Sequence, residues 1–229
     1  MKNWKIIGLG GSLIFKKKKD LELNLVFLKK FRDLILKFID QYSFFIVVGG
    51  GRLARFYQHN GSKFKVSNQT LDELGIKATW LNAELIRALF EKYAYSRIFN
   101  DFNQKIPLNY KICVGAGVQP GRSTDYDLFY FAKLLKVKEV IVLTNVSYIY
   151  PKDPQKYRNQ KPLKSLSWSE YLKIISNKKW IPGLSLPVDP LASRLAQKEK
   201  IKMILLGGKV ISKLNKYLSR GEVIGTVVQ

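Results

Sequence analysis

Cysteine and histidine are nearly absent from this chain, which has one of each, and acidic residues are scarce at 17 against 40 Lys and Arg. A single cysteine excludes an intrachain disulfide and a cysteine-built zinc centre, and Cys113 lies in an apolar strand-like run as a buried structural thiol. The lone His59 sits in a polar segment and reads as a solvated residue. Long hydrophobic runs are missing too. No segment approaches the ~18 to 20 uninterrupted apolar residues that a membrane span needs. The start, MKNWKIIGLGGSLIF, shows no small-residue cleavage site, so a cytoplasmic protein without a membrane partner is expected.

The shortage of acid leaves a net charge of +23, which by itself suggests a polyanionic partner. The lysines are scattered along the whole chain, however, and accompany many Ile, Asn, Tyr and Phe, the pattern of an AT-rich coding bias. Only Lys16 to Lys19 form a run, and four lysines are a solvated loop more often than a binding site. Nucleic acid is therefore not expected as the main partner.

With 229 residues, 46% of them hydrophobic, the chain can bury a full core. Apolar, β-branched runs at 4 to 9, 44 to 48, 111 to 114, 139 to 144 and 202 to 206 lack strict alternation, as strands buried on both faces do. Between them, Leu28, Phe31, Ile35 and Ile39 keep one helical face, Leu81, Leu85, Ala88 and Leu89 a second, and Leu128, Phe131, Ala132 and Leu135 a third. Repeated βα units imply an α/β sandwich around a mainly parallel sheet. The Pro, Asn and Lys-rich stretch 151 to 164 has the composition expected of a seam between lobes.

Glycine clusters fall at the strand ends: GLGGS at 8 to 12, GGGR at 49 to 52 and GAGVQPGRSTD at 115 to 125. Three consecutive glycines are costly in backbone entropy, so something must approach that backbone closely. In open α/β sheets such loops converge on one crevice. Phosphate is the natural guest, because bare backbone N–H groups beside a helix N-terminus complement an anion. The common phosphate motifs are nevertheless missing: there is no G-x-x-x-x-G-K-[ST] and no intact G-x-G-x-x-G in a dinucleotide-binding context.

GGSL, VVGGGRLAR (47 to 55), LDELGIKATWLNAEL (71 to 85), GVQPGRSTD, TNVSYIYPKDPQKY (144 to 157) and VDPLASRLAQKEKIK (188 to 202) resemble, in order and spacing, the amino acid kinase superfamily. Within it the chain is most similar to the uridylate kinases of archaeal type. The resemblance implies one domain over 1–229, a three-layer αβα sandwich, with an acceptor-binding lobe over roughly 1–137 and an ATP-binding lobe over roughly 138–229. It implies transfer of the γ-phosphoryl group of ATP to UMP, with Mg2+ held mainly through ATP phosphates and no direct protein metal site. It also implies a homo-oligomer, a hexamer built from dimers.

Residue by residue, the family pattern places Gly50, Asp72, Val118, Gln119, Pro120, Gly121, Arg122, Ser123 and Thr124 on UMP. Asp72 would accept the two ribose hydroxyls; its plainer role is a helix cap. Ser123 and Thr124 offer hydroxyls, and either can also cap the following helix. Gly10, Gly11, Ser12, Gly51, Arg55, Thr144, Asn145, Tyr150 and Asp153 fall on the ATP side. Arg55 would reach phosphates with its planar fork of donors. Arg55, Asp125 and Asp189 are the expected catalytic set, although Asp189 before Pro190 is also an ordinary helix start.

The chain departs from the family pattern twice. Gly8 stands where many members carry a lysine that bridges the phosphates, and TNVSYIY replaces TNVDGVY, with Ser147 and Tyr148 in place of an Asp-Gly turn. These departures fit a second reading, a catalytically impaired nucleotide-binding or storage protein of the same fold, beside another small-molecule kinase of the family. Isopentenyl phosphate kinases expect an active-site histidine, which His59 does not supply. Acetylglutamate, aspartate and carbamate kinases must receive an anionic carboxyl group that Asp72 would repel.

Overall fold

The strands order themselves by burial on both faces. In the computed structural model, described here for all residues except 1–2, 17–19, 153–156, 158 and 176–187, β1 (Trp4–Leu9) lies between β2 (Ser43–Val48) and β4 (Glu139–Thr144). All three run parallel. With β3 (Ile112–Gly115), β5 (Ser165–Leu166), β6 (Lys202–Gly207) and β7 (Thr226–Val228), the seven-stranded order is β3-β2-β1-β4-β6-β7-β5. Among the described strands only the β6–β7 pairing is antiparallel. The five expected strands agree with β1 to β4 and β6 to within a residue at each end, whereas β5 and β7 are too short to carry a periodic signal.

Successive side chains of a strand point to opposite faces, and two apolar clusters follow from that period. Ile7, Phe44, Ile46 and Ile204 meet one helical layer, which includes α2 (Leu25–Lys37), α4 (Asn68–Leu89) and α8 (Val210–Arg220). Ile6, Phe45, Val47 and Met203 meet the other, made of α5 (Thr124–Leu134), α6 (Trp168–Ile175) and α7 (Pro190–Glu199). The result is the expected three-layer αβα sandwich. Two shorter elements complete the functional edge: α1 (Gly11–Ile14) after β1, and α3 (Gly51–Ser62) after β2.

The helical faces read from sequence hold for α2 and α5 but not for α4. Leu81 is 62% exposed and Ala88 is exposed, while the buried stripe of α4 runs through Asp72, Gly75, Thr79, Asn82, Ala83 and Ile86. Apolarity misled the reading because this helix turns a small and polar face toward glycine loops. Its start is set by Ser67, whose hydroxyl accepts from the Thr70 amide at 3.1 Å.

Candidate active site

Three loops meet at the carboxyl ends of β1, β2 and β4, where the strand order switches direction, and they line a cleft of about 500 Å3. They are tied backbone to backbone: Gly10 N donates to Leu143 O at 2.9 Å and Gly49 N to Leu9 O at 3.0 Å. A Cβ on Gly11 would stand 2.5 Å from Gly51 N and closer still to the Gly49 carbonyl oxygen. Gly51 itself has φ +56°, the left-handed region that glycine enters without strain. The approach that makes the triplet worth its entropy is thus, in the first place, that of one loop to the other. α3 starts at Gly51, and its first amides have no helical acceptor, so donors collect at this junction.

Helix α4 forms the facing wall and holds two loops at once. The buried Asn82 amide donates to both Gly49 O and Gly50 O, each at 3.0 Å. One turn earlier, Thr79 Oγ accepts from Gly117 N at 2.8 Å and donates to Ile76 O at 2.7 Å, and Trp80 Nε1 donates to Gly117 O at 2.7 Å. At the start of the wall, Asp72 lines the cleft and accepts from Gly121 N at 2.6 Å. Asp72 therefore fastens the 117–123 loop as well as facing the cleft, and it does not cap α4.

The same loop runs into α5, which Ser123 caps by accepting from the Asp125 and Tyr126 amides at 3.1 and 3.3 Å. The Ser123 hydroxyl donates in turn to the Asp189 carboxylate. Asp189 is 3% exposed and caps α7 through Leu191 N at 2.7 Å and Ala192 N at 3.1 Å. Asp125 lines the cleft; burial first, and Asp189 second, push its carboxyl up to about 8. Asp127, on the same turn, is buried and held well above the ordinary carboxylate range, chiefly by burial. Val118 N–H and Arg122 work against that rise, while Asp125 and Asp189 add to it.

Cations line the cleft as well. Arg55 lines the cleft, and partial desolvation together with the neighbouring Arg52 lowers its pKa. Arg52 is turned away and donates to the Lys16 carbonyl, while the Lys16 ammonium pairs with Glu22. The other lysines of that run lie outside the described residues. On the β4 side, Thr144 and Asn145 line the cleft, and the Asn145 amide donates to Ser12 O at 3.1 Å. The rebuilt TNVSYIY segment packs its Val146–Ser147 backbone on Gly207, and its Tyr148 ring lies 5.0 Å from the Lys213 ammonium. A Cβ at Gly8 would stand 2.8 Å from Leu128 Cδ2, so a side chain there starts against the buried Leu128 of α5.

Of the expected site residues, Gly10, Gly11, Ser12, Gly50, Gly51, Arg55, Asp72, Arg122, Ser123, Thr124, Asp125, Thr144 and Asn145 line one cleft. Val118, Gln119, Pro120 and Gly121 belong to the loop behind Arg122 and not to the cleft wall. Gly121 has φ +84°, and the Gln119 amide faces the Arg122 guanidinium, with its oxygen oriented to accept. Asp189 stands behind Ser123, Tyr150 lies off the wall, and Asp153 lies outside the described residues. Thr79, Asn82, Trp80 and Asp127 were not singled out from sequence. Asn82 lies inside the family-like stretch LDELGIKATWLNAEL, where nothing in its residue type marks it.

The sequence profile of the amino acid kinase family matches residues 3–207. The chain is 34% identical over 227 residues to the uridylate kinase of Pyrococcus abyssi, covering 98% of each. It is 32% identical over 202 residues to that of Sulfolobus acidocaldarius, covering 86% of this chain and 88% of the other. The crystal structure of uridylate kinase from Archaeoglobus fulgidus superposes with a TM-score of 0.82 at 29% identity, over 98% of this chain and all of that one.

Proposed function

The chain belongs to the amino acid kinase family, and from that premise we propose that it is a uridylate kinase, transferring the γ-phosphoryl group of ATP to UMP. The observation that carries this reading is a glycine-walled cleft whose lining holds both a carboxyl group, Asp72, and a guanidinium, Arg55. Asp72 suits ribose hydroxyls, since one of its oxygens takes Gly121 N–H and the other remains to accept. The 117–124 loop then surrounds the acceptor, and Gly10 to Ser12 with Thr144 and Asn145 face the donor. The acceptor and donor lobes correspond to 1–137 and 138–229, which share one sheet through the β1–β4 pairing.

The chemistry asks for positioning and charge more than for a strong base, because the attacking UMP phosphate oxygen is already ionised near neutral pH. Arg55 and the amides at the start of α3 meet the charge of the transferring group. Among the described residues no group of three or more His, Cys, Asp or Glu side chains forms a metal cage. The donor that fits a phosphate-bound Mg2+ is Asp125, a cleft carboxyl whose proton affinity is raised by burial and by Asp189 and which a cation would relieve. Bound Mg2+ would supply charge neutralisation on the phosphates. No described helix is long and apolar enough to cross a membrane. By its relatives we place the enzyme in the cytoplasm as a homo-oligomer, a hexamer built from dimers. The decisive test is a coupled assay of purified protein with ATP, Mg2+ and a panel of nucleoside monophosphates. UDP formation is expected with UMP preferred; tight binding of ATP and UMP without UDP would leave a binding protein instead.

A further inference from the structure

Asp127 has no part in the chemistry above, yet it is the least comfortable side chain near the cleft. It is 1% exposed, it neighbours Asp125 and Asp189, and its Oδ1 is a buried polar atom with no hydrogen-bond partner among the described residues. Such an orphan is destabilising relative to an apolar side chain of similar size, so its presence calls for a use. Its other oxygen has one: Oδ2 accepts from Val118 N at 3.2 Å.

Between Gly117 and Gly121, no bond described ties the loop to α4. Gly117 is fastened by Thr79 and Trp80, and Gly121 by Asp72, all from α4. Val118 is instead tied to α5, the helix that this loop leads into. The bond therefore joins both ends of the loop's path and stops the Val118 peptide from rotating between its two α4 anchors. We propose that Asp127 is a positioning residue for the acceptor nucleotide, holding the 117–121 loop in its binding shape through the Val118 amide at a cost in stability. The proposal rests on the uridylate kinase reading for the identity of the acceptor, but the loop anchoring itself does not depend on it.

The two roles separate in Asp127→Leu. The variant removes a buried acid with an orphan oxygen and is expected to melt at or above the wild-type temperature. It should nevertheless raise KM for UMP roughly tenfold, the scale of one lost buried hydrogen bond, with KM for ATP unchanged. Asp127→Asn, whose amide oxygen can still accept from Val118, should recover most of that loss. Hydrogen–deuterium exchange of the peptide spanning 117–122 should be faster in Asp127→Leu than in wild type, a readout that needs no turnover. An unchanged KM for UMP together with unchanged exchange overturns the proposal. So does a parallel rise of both KM values with a lower melting temperature, which would mark a merely structural residue. Should Asp127→Leu not fold, Asp127→Ser, too short to reach Val118, carries the same expectations. If wild type makes no UDP but exchange still quickens in the variant, the kinase reading fails and the anchoring stands.

Discussion

Single side chains in this cleft owe their behaviour to what the surrounding backbone leaves them. Arg55, like Arg122, is a guanidinium on the cleft wall and can meet charge on a transferring phosphoryl group, whereas Arg52 is engaged with the Lys16 carbonyl. Losing one preorganised donor to developing charge costs about a hundred- to a thousandfold in rate. Arg55→Ala should therefore lower kcat by about two orders of magnitude in steady-state kinetics, with Arg52→Ala well behind it. Asp125 makes a prediction about stability. Its carboxyl is raised from 3.8 to about 8 in the fold, so the native state holds a proton that the unfolded chain has already released. The unfolded state then binds fewer protons across that window, and stability falls as pH rises from about 4 to about 8, levelling off beyond. Asp125→Asn should flatten the decline in melting temperature over this range and should melt higher than wild type above pH 8. Asp127 contributes in the same direction and leaves a residual slope in that variant.

At the level of the element, α4 acts as a jig. One helical repeat is enough for Thr79 and Asn82, three residues apart and on one face, to reach different loops. Thr79 and Trp80 hold the loop at Gly117, Asn82 the glycine triplet. Thr79→Val, nearly isosteric, would leave the buried Gly117 N–H without its acceptor and should raise KM for UMP about tenfold with little change for ATP. Asn82→Ala frees the Gly49 and Gly50 carbonyls and so loosens the amides that follow them. Its effect should fall mainly on kcat. Initial-rate kinetics varying each substrate separately would distinguish the two, and an identical pattern in both variants would mean that α4 is only a packing wall.

For the molecule as a whole, the excess of cations dominates. The few acids are shared: Glu139 alone takes Lys5 at 3.7 Å, Lys202 and the Tyr217 hydroxyl. With a net charge of +23, self-repulsion should make the melting temperature rise with moderate salt as surface charges are screened. If the lysines are compositional, RNA and DNA should bind weakly and with steep salt dependence, as contacts to phosphate without base readout do. Tight, sequence-selective binding at physiological salt, seen in titrations over several salt concentrations, would reverse that ranking.

Strand positions needed little beyond the sequence, because a strand buried on both faces is largely apolar along its length and such runs stand out at β1, β2, β4 and β6. The glycine loops and Arg55 were legible for a related reason: their chemistry resides in residue type, and a resemblance carries type and spacing. The sequence alone determined the family, the layered fold and the glycine loops that converge on the cleft. Hydrogen-bond direction and burial are pairwise and nonlocal, and only the tertiary structure decided them. It turned Arg52 back onto Lys16, set Asp189 behind Ser123, and placed Gly11 against Gly51 across two loops. It also chose the polar stripe of α4 over its leucines, because glycine backbones offer carbonyls and amides that a side chain such as Asn82 can satisfy and Leu81 cannot. Asp127 shows the same limit: an acid two residues after another acid reads as a solvated first turn until the fold closes over it.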